Sequence, residues 1–339
     1  MLTILVFINT ATVFCIKKVH VLNIHCMLKI CKTSPMNYHE DYAEGNDVKI
    51  AYRDYGPEGA EPVLLTHGLG AQLIHWPLHL IEFLIANNYR PITYDNRDAG
   101  LSTRFLGKPS FIFGYLRYYL RLPMKSEYTL KDMSKDGIAV LDKLNIDKAH
   151  ILGTSMGGMI SQIICSMFPN RVKSFTLIAS TASVPGPFNG PSKEVKEVMM
   201  QRSKLNNPTL EDMYQRELRW VSLVGMEGRA IDTKEFREDY VANYHRGRDK
   251  VDGFGYARQL LAILASKNRI KKIKSIKVPT LIIHGDKDPV IEVKNAYTMN
   301  KLISSSKLIT IPNMRHLIEE EILDQFKEEM LIHLNESKL

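Results

Sequence analysis

The stretch Ala149-His150-Ile151-Leu152-Gly153-Thr154-Ser155-Met156-Gly157-Gly158-Met159-Ile160 decides how the chain folds. Ala149 to Leu152 is a short apolar run of the kind that forms a buried strand. From Met156 to Phe168, apolar residues recur at Met156, Met159, Ile160, Ile163, Ile164 and Met167, which is one stripe of a helix. Between strand and helix, Gly153 to Gly157 matches G-x-S-x-G. The pentapeptide alone is a weak signal, but this setting is the one a nucleophile elbow requires: a sharp turn presents Ser155, and flanking glycines avoid collisions with strand and helix. The plainer alternative is a glycine-rich turn whose serine caps the helix.

Working outward, Ser174 to Ala179 reads as the next strand. Upstream, Thr129 to Leu144 has helical spacing, with a capping-box pattern at Thr129 and Asp132. Val48 to Tyr55, Pro62 to Thr66 and Arg90 to Tyr94 read as strands, and His79 to Asn87 as a helix. This alternation predicts an α/β fold with a mostly parallel central sheet flanked by helices. It stops at Val184 to Pro191, VPGPFNGP, a boundary rich in proline and glycine. Helical patterns follow over Lys193 to Leu205, Leu210 to Val224, Lys234 to His245 and Gly255 to Ala265, before a strand resumes at Val278 to His284. The expected organisation is an extension over 1–35, a first core part over 36–183, a helical cap over 184–269 and a second core part over 270–339.

A serine hydroxyl is a poor nucleophile near neutral pH, so Ser155 needs a histidine base and a carboxylate to orient it. Both follow in the chain. His284-Gly285-Asp286-Lys287-Asp288-Pro289 comes after the strand Thr280 to Ile283, and His316 comes after the strand Lys307 to Ile311, with a helix expected over Leu317 to Met330. Asp288 is the preferred acid because it lies further past the strand end, with Asp286 in reserve. The preceding strand is followed by Ser180-Thr181-Ala182-Ser183, which has no carboxylate. Of the 11 histidines, His67, His150 and His245 are less well placed than His316. His67-Gly68-Leu69-Gly70 follows the strand Pro62 to Thr66, where a glycine-rich turn can aim a backbone N–H at the site. The N–H groups of Leu69 and Met156 are therefore the candidate oxyanion donors.

With these motifs in this order, the chain resembles the α/β-hydrolase superfamily from about Asp47 to Leu334. Tyr94-Asp95-Asn96-Arg97-Asp98-Ala99-Gly100-Leu101-Ser102 and Tyr128-Thr129-Leu130-Lys131-Asp132-Met133 resemble segments of aclacinomycin methylesterase-like hydrolases. The resemblance implies scaffold roles for Asp95 and Arg97. The broader superfamily has D-x-R-G-x-G in this loop, so Asp98 departs from the general pattern. Relatives also carry glycines around the histidine, as in G-x-G-H, whereas Asn313-Met314-Arg315-His316 does not. A differently shaped loop is expected there, since arginine enters a left-handed conformation with difficulty. Haloalkane dehalogenases and epoxide hydrolases of this fold have aspartate at the elbow, and proline iminopeptidase-like members have a glycine-proline oxyanion loop; neither feature is present. The resemblance therefore implies a serine hydrolase acting on a carboxylic ester. Carbon–carbon bond hydrolysis and perhydrolysis are alternatives on the same triad, and a non-catalytic ligand-binding protein is the alternative of another class.

Composition narrows the remaining classes. Among 339 residues the formal charge is +8, and half of it comes from Lys17, Lys18, Lys29 and Lys32 in residues 1–35, which contain no acid. Three of the four cysteines, Cys15, Cys26 and Cys31, lie there too, and Cys165 is expected as a small core residue. Without a disulfide framework, a reducing, cytoplasmic compartment is expected. The apolar run Leu2 to Ile16 is shorter than the ~20 residues of a membrane span. It also lacks a positive region before it. Met36 reads as a natural start, so 1–35 is read as an upstream extension in preference to a membrane-touching anchor. The basic run Lys267 to Lys277 has no interleaved aromatics, so an exposed helix end is expected and not a nucleic-acid site. Phe105, Phe111, Phe113, Tyr115, Tyr118 and Tyr119 alternate with Arg104, Lys108, Arg117 and Arg121; packing under the helical insertion is expected, with an apolar mouth or membrane surface as the functional alternative. No metal-ligand cluster, phosphate loop or dinucleotide fingerprint occurs, so no metal or cofactor is expected. The expected partner is a small, hydrophobic ester.

Overall fold

Ala149 to Thr154 is buried at every residue and sits near the middle of an eight-stranded sheet. The computed structural model describes residues 36–45, 47–184, 190–201, 209–247, 254–266 and 269–337, and from His39 onward they form one unit. The expectations for residues 1–35, most of the Val184 to Pro191 boundary, 202–205 and Lys267 lie outside the described residues.

The strands are β1 (His39–Gly45), β2 (Val48–Asp54), β3 (Glu61–Thr66), β4 (Tyr89–Tyr94), β5 (Ala149–Thr154), β6 (Val172–Ile178), β7 (Thr280–Gly285) and β8 (Ser306–Ile311). Their order is β1-β2-β4-β3-β5-β6-β7-β8; β1 and β2 pair antiparallel, as do β2 and β4, and every later pairing is parallel. Strands buried on both faces read as continuous apolar runs, which is why β5, β6 and β7 were legible in sequence. β1 was not anticipated. Its sequence HEDYAEG is mostly exposed, as suits a charged edge strand.

The helices are α1 (Leu78–Ala86), α2 (Phe111–Tyr119), α3 (Leu130–Lys143), α4 (Met156–Met167), α5 (Lys193–Gln201), α6 (Leu210–Val224), α7 (Lys234–His245), α8 (Gly255–Ala265), α9 (Ile270–Lys274), α10 (Lys294–Leu302), α11 (Glu320–Leu323) and α12 (Lys327–Glu336). The expected capping box opens α3: Thr129 N–H donates to Asp132 Oδ2 at 2.9 Å, and Thr129 Oγ1 accepts from Asp132 N–H at 3.4 Å. α3 and α4 pack beside the sheet, and Cys165 is buried on α4. α5 to α8 fall between β6 and β7. Among the described residues no helix is long and apolar enough to cross a membrane.

Three expectations need correction. The helix expected over Leu317 to Met330 is instead two, α11 and α12, because the chain first runs along the end of α6, where His316 N–H and Leu317 N–H both donate to Val224 O. The basic run is not wholly a solvated face. Arg269 is buried, donating to Gln162 Oε1 at 3.0 Å and Thr181 O at 2.7 Å, and burial lowers its pKa to about 10. In the aromatic stretch, Phe105 and Tyr115 pack against the core, but Phe113 and Tyr119 are exposed.

The order β4-β3-β5 places a reversal of winding between β3 and β5. In open α/β sheets the crevice at such a point, outside the carboxyl ends of the strands, is where ligands bind. His67 to Gly70 leave β3 there, and Ser155 leaves β5.

Candidate active site

Ser155 has φ 53° and ψ −122°, a conformation that a side-chain-bearing residue adopts only when its surroundings impose it. Its N–H donates to Ile178 O at 3.0 Å, and its carbonyl accepts from Ser180 Oγ at 2.8 Å. A Cβ on Gly157 would stand 1.9 Å from Thr66 O, and one on Gly153 would stand 2.4 Å from Ser161 Oγ. The turn therefore closes only with glycine at both positions. Ser155 makes no side-chain cap to α4; its hydroxyl points instead to His316.

The structure brings together Ser155, His316 and Asp288, which are far apart in sequence. His316 Nε2 lies 3.1 Å from Ser155 Oγ, and His316 Nδ1 lies 2.7 Å from Asp288 Oδ2. Asp288 is buried, and its Oδ1 accepts from Val290 N–H at 2.8 Å and Ile291 N–H at 3.0 Å. Burial pushes its carboxyl pKa up, but the charge of His316 and the hydrogen bonds of His284 and His316 outweigh this and hold it at about 2. An ionised Asp288 places the proton of His316 on Nδ1 and leaves the Nε2 lone pair facing Ser155. Asp286 has a different place. Its Oδ1 accepts from Asn313 N–H at 2.7 Å, so it shapes the histidine loop from the exposed side.

That loop accommodates the missing glycines. Asn313 takes the left-handed position at φ 59°, a conformation asparagine tolerates, and Arg315 is not among the residues with positive φ. The Arg315 guanidinium turns outward to Ser222 O at 3.0 Å and Glu227 at 3.1 Å. The bulky side chain thus braces the loop against the end of α6.

Leu69 and Met156 supply backbone N–H groups that donate to no acceptor among the described residues. The loop carrying Leu69 is fixed at its next residue, where Gly70 N–H donates to Gln259 Oε1 at 2.7 Å while Gln259 Nε2 donates to Arg97 O at 2.8 Å. Asn96 Nδ2 donates to His67 O at 3.0 Å. Gln259, on α8, has no sequence signature and was missed. His67 accepts Gly68 N–H at Nδ1 and packs on Trp76; burial lowers its pKa to about 4.

Asp95 and Arg97 sit behind the site. Asp95 accepts Leu73 N–H at 2.7 Å and Leu101 N–H at 2.9 Å, and Arg97 meets Asp136 through bonds of 2.7 and 2.6 Å. Arg246, after α7, also donates to Asp95 Oδ2 at 2.8 Å, which ties the inserted helices to the core.

A cavity of about 400 Å³ opens over Ser155 and His316, walled by Trp76, Trp220, Phe236, Tyr240 and Tyr256. A second lobe of about 70 Å³ meets it at Ser155 and Leu69, lined by Met159, Leu260 and Ile263. Glu217, Asp239 and Glu319 also line the large lobe, and among the described residues no Lys or Arg lines either lobe. Among the described residues no group of His, Cys, Asp and Glu could hold a metal ion.

A serine on a strained turn at the carboxyl edge of a mainly parallel sheet, bonded to a histidine that a buried aspartate orients, places the chain among proteins of the α/β-hydrolase class. It belongs to that family: residues 61–321 match the alpha/beta hydrolase fold. It is 25% identical over 291 residues to rhodomycin D methylesterase DnrP of Streptomyces peucetius, covering 80% of this chain and 90% of that protein. It is also 25% identical over 289 residues to the dihydrolipoyllysine-residue acetyltransferase component of the acetoin cleaving system of Pseudomonas putida, covering 84% of this chain but 66% of that longer protein. Among solved structures, 2-hydroxy-6-oxo-6-phenylhexa-2,4-dienoate hydrolase of Rhodococcus sp. strain RHA1 superposes with a TM-score of 0.66 at 16% identity, over 89% of this chain and 100% of that one. That likeness is one of fold. The similarities support a hydrolase of this fold.

Proposed function

We propose that the protein is a serine hydrolase of carboxylic esters that works through an acyl-enzyme. The observation that carries this reading is the unbroken chain from Ser155 Oγ to His316 Nε2 at 3.1 Å and from His316 Nδ1 to Asp288 at 2.7 Å. Ser155 attacks the acyl carbon while its proton passes to Nε2. The N–H groups of Leu69 and Met156 stabilise the oxyanion. His316 returns the proton to the departing alcohol, and water attacks the acyl-enzyme by the same route. Helices α5 to α8 act as a cap over the core formed by 36–183 and 270–339.

The cavity further selects an uncharged ester. Glu217 and Asp239 line the large lobe, Glu319 there is ion-paired with Arg229, and among the described residues no Lys or Arg lines the cavity; this balance disfavours a substrate carboxylate, unlike what the dienoate hydrolase's name implies of its own substrate. The aromatic walls favour an apolar group in the large lobe, and the small lobe admits a short one. Turnover of an alkyl ester should exceed, by about tenfold or more in kcat/KM, that of the same ester whose acyl chain ends in a free carboxylate. Equal rates would remove the substrate class. Undiminished turnover of both by a folded Ser155→Ala variant would remove the mechanism.

A further inference from the structure

The segment between Asp98 and Glu127 contains no acid and five bases, Arg104, Lys108, Arg117, Arg121 and Lys125. It also holds seven of the twelve large apolar side chains exposed among the described residues: Leu101, Leu106 (89%), Phe113 (67%), Leu116, Tyr119, Leu120 and Leu122. On α2, Phe113 and Leu116, with Leu120 just past its end, recur at three- and four-residue spacing and so share one stripe. Gly114 lies on the opposite side, where a Cβ would stand 2.3 Å from Leu261 of α8. The helix is therefore inverted relative to an ordinary surface helix, because the stripe turned away from the protein is apolar. Exposed apolar side chains scattered singly need no explanation, whereas more than half of them within one short segment mark a surface that meets something.

Charge decides among occupants. Lys108, Arg121 and Lys125 are exposed beside the apolar stripe, and Arg117 is half-buried. Glu127 is the next acid along the chain, and its carboxylate lies against Gly107. A second copy of the same face would bring like charges together. An anionic bilayer offers both an apolar interior for Phe113 and Leu116 and phosphate or carboxylate headgroups for the bases. Helix α2 packs on α8, and Tyr256 of α8 lines the large cavity. The surface therefore lies next to a wall of the site.

We propose that α2 and the turn after it form a docking surface for anionic lipid bilayers, through insertion of Phe113 and Leu116 with Lys108, Arg121 and Lys125 at the headgroups. This is independent of the ester reading, since its readout is binding. The test is flotation of the full chain with vesicles of phosphatidylcholine containing phosphatidylserine, or of phosphatidylcholine alone. Wild type, a Phe113→Ser/Leu116→Ser variant and a Lys108→Glu/Arg121→Glu/Lys125→Glu variant are compared, all retaining residues 1–35. The proposal expects wild type to bind the anionic vesicles more tightly than the neutral ones, with salt weakening the binding. Each variant should lose about tenfold or more in affinity while keeping its far-ultraviolet circular dichroism. Equal binding by wild type and both variants, or no binding by wild type, overturns it. So does a wild-type dimer on gel filtration that the Phe113→Ser/Leu116→Ser variant converts to monomer, because the occupant is then a second copy.

Discussion

Asp98 and Arg258 meet through two hydrogen bonds of 2.8 and 2.9 Å, both side chains buried, joining the turn after β4 to α8. Asp98 also has φ 67°, and it stands where the broader superfamily resembled by this loop has glycine. The backbone there needs a left-handed residue. Asp98 tolerates it while its carboxylate accepts Arg258, the Tyr128 hydroxyl at 2.6 Å and Phe105 N–H at 2.9 Å. Removing one partner leaves a buried charge, so Arg258→Met should destabilise the protein by about 3–5 kcal/mol in urea unfolding. Adding Asp98→Gly should recover part of that loss, and strictly additive losses would contradict the coupling.

Gly157 tests the elbow geometry separately from its chemistry. Because a Cβ would lie 1.9 Å from Thr66 O, Gly157→Ala should cost more than about 3 kcal/mol or prevent folding. Ser155→Ala removes a hydroxyl without adding volume and should leave the melting temperature unchanged or raised. Its kcat should fall by about a thousandfold or more.

The two aspartates after β7 should separate cleanly. Asp288→Asn removes the charge that fixes the His316 tautomer and should lower kcat by roughly 10³ to 10⁴. Asp286→Asn loses a loop contact to Asn313 N–H and should cost tenfold or less in kcat by the same order-of-magnitude scale. Equal losses would return Asp286 to candidacy.

Stability should fall on mild acidification. Burial, with a smaller push from Lys307, lowers His333 from 6.5 to about 4 in the folded chain. Between those values the unfolded chain binds a proton that the folded one refuses. The stability this group contributes is complete above pH 6.5 and is lost as pH falls toward 4. His67, lowered to about 4 by burial, acts with the same sign. Urea midpoints measured from pH 7 to pH 4 should decline, and His333→Phe should decline less steeply.

What could be read in the sequence follows from which groups act locally. β5, its elbow and α4 carry their signature in consecutive residues, and the α3 capping box is fixed by Thr129 and Asp132. His316 and Asp288 could be placed because chain order limits which strand ends can supply them. β1 escaped because an exposed edge strand shows no apolar alternation. Gln259 escaped because its contact with Gly70 N–H spans 189 residues and any polar residue on a helix looks alike in sequence. The histidine loop was expected to differ for want of glycine, but Asn313 takes the one left-handed position, leaving Arg315 in ordinary backbone.

If His316 and Asp288 activate Ser155 as a nucleophile, a fluorophosphonate should label it. Intact-mass analysis after brief exposure to the reagent should show one adduct per chain, mapped to Ser155, absent from Ser155→Ala and formed much more slowly in Asp288→Asn. A folded wild-type protein that takes no label, or a Ser155→Ala variant that labels at the wild-type rate, would contradict that activation.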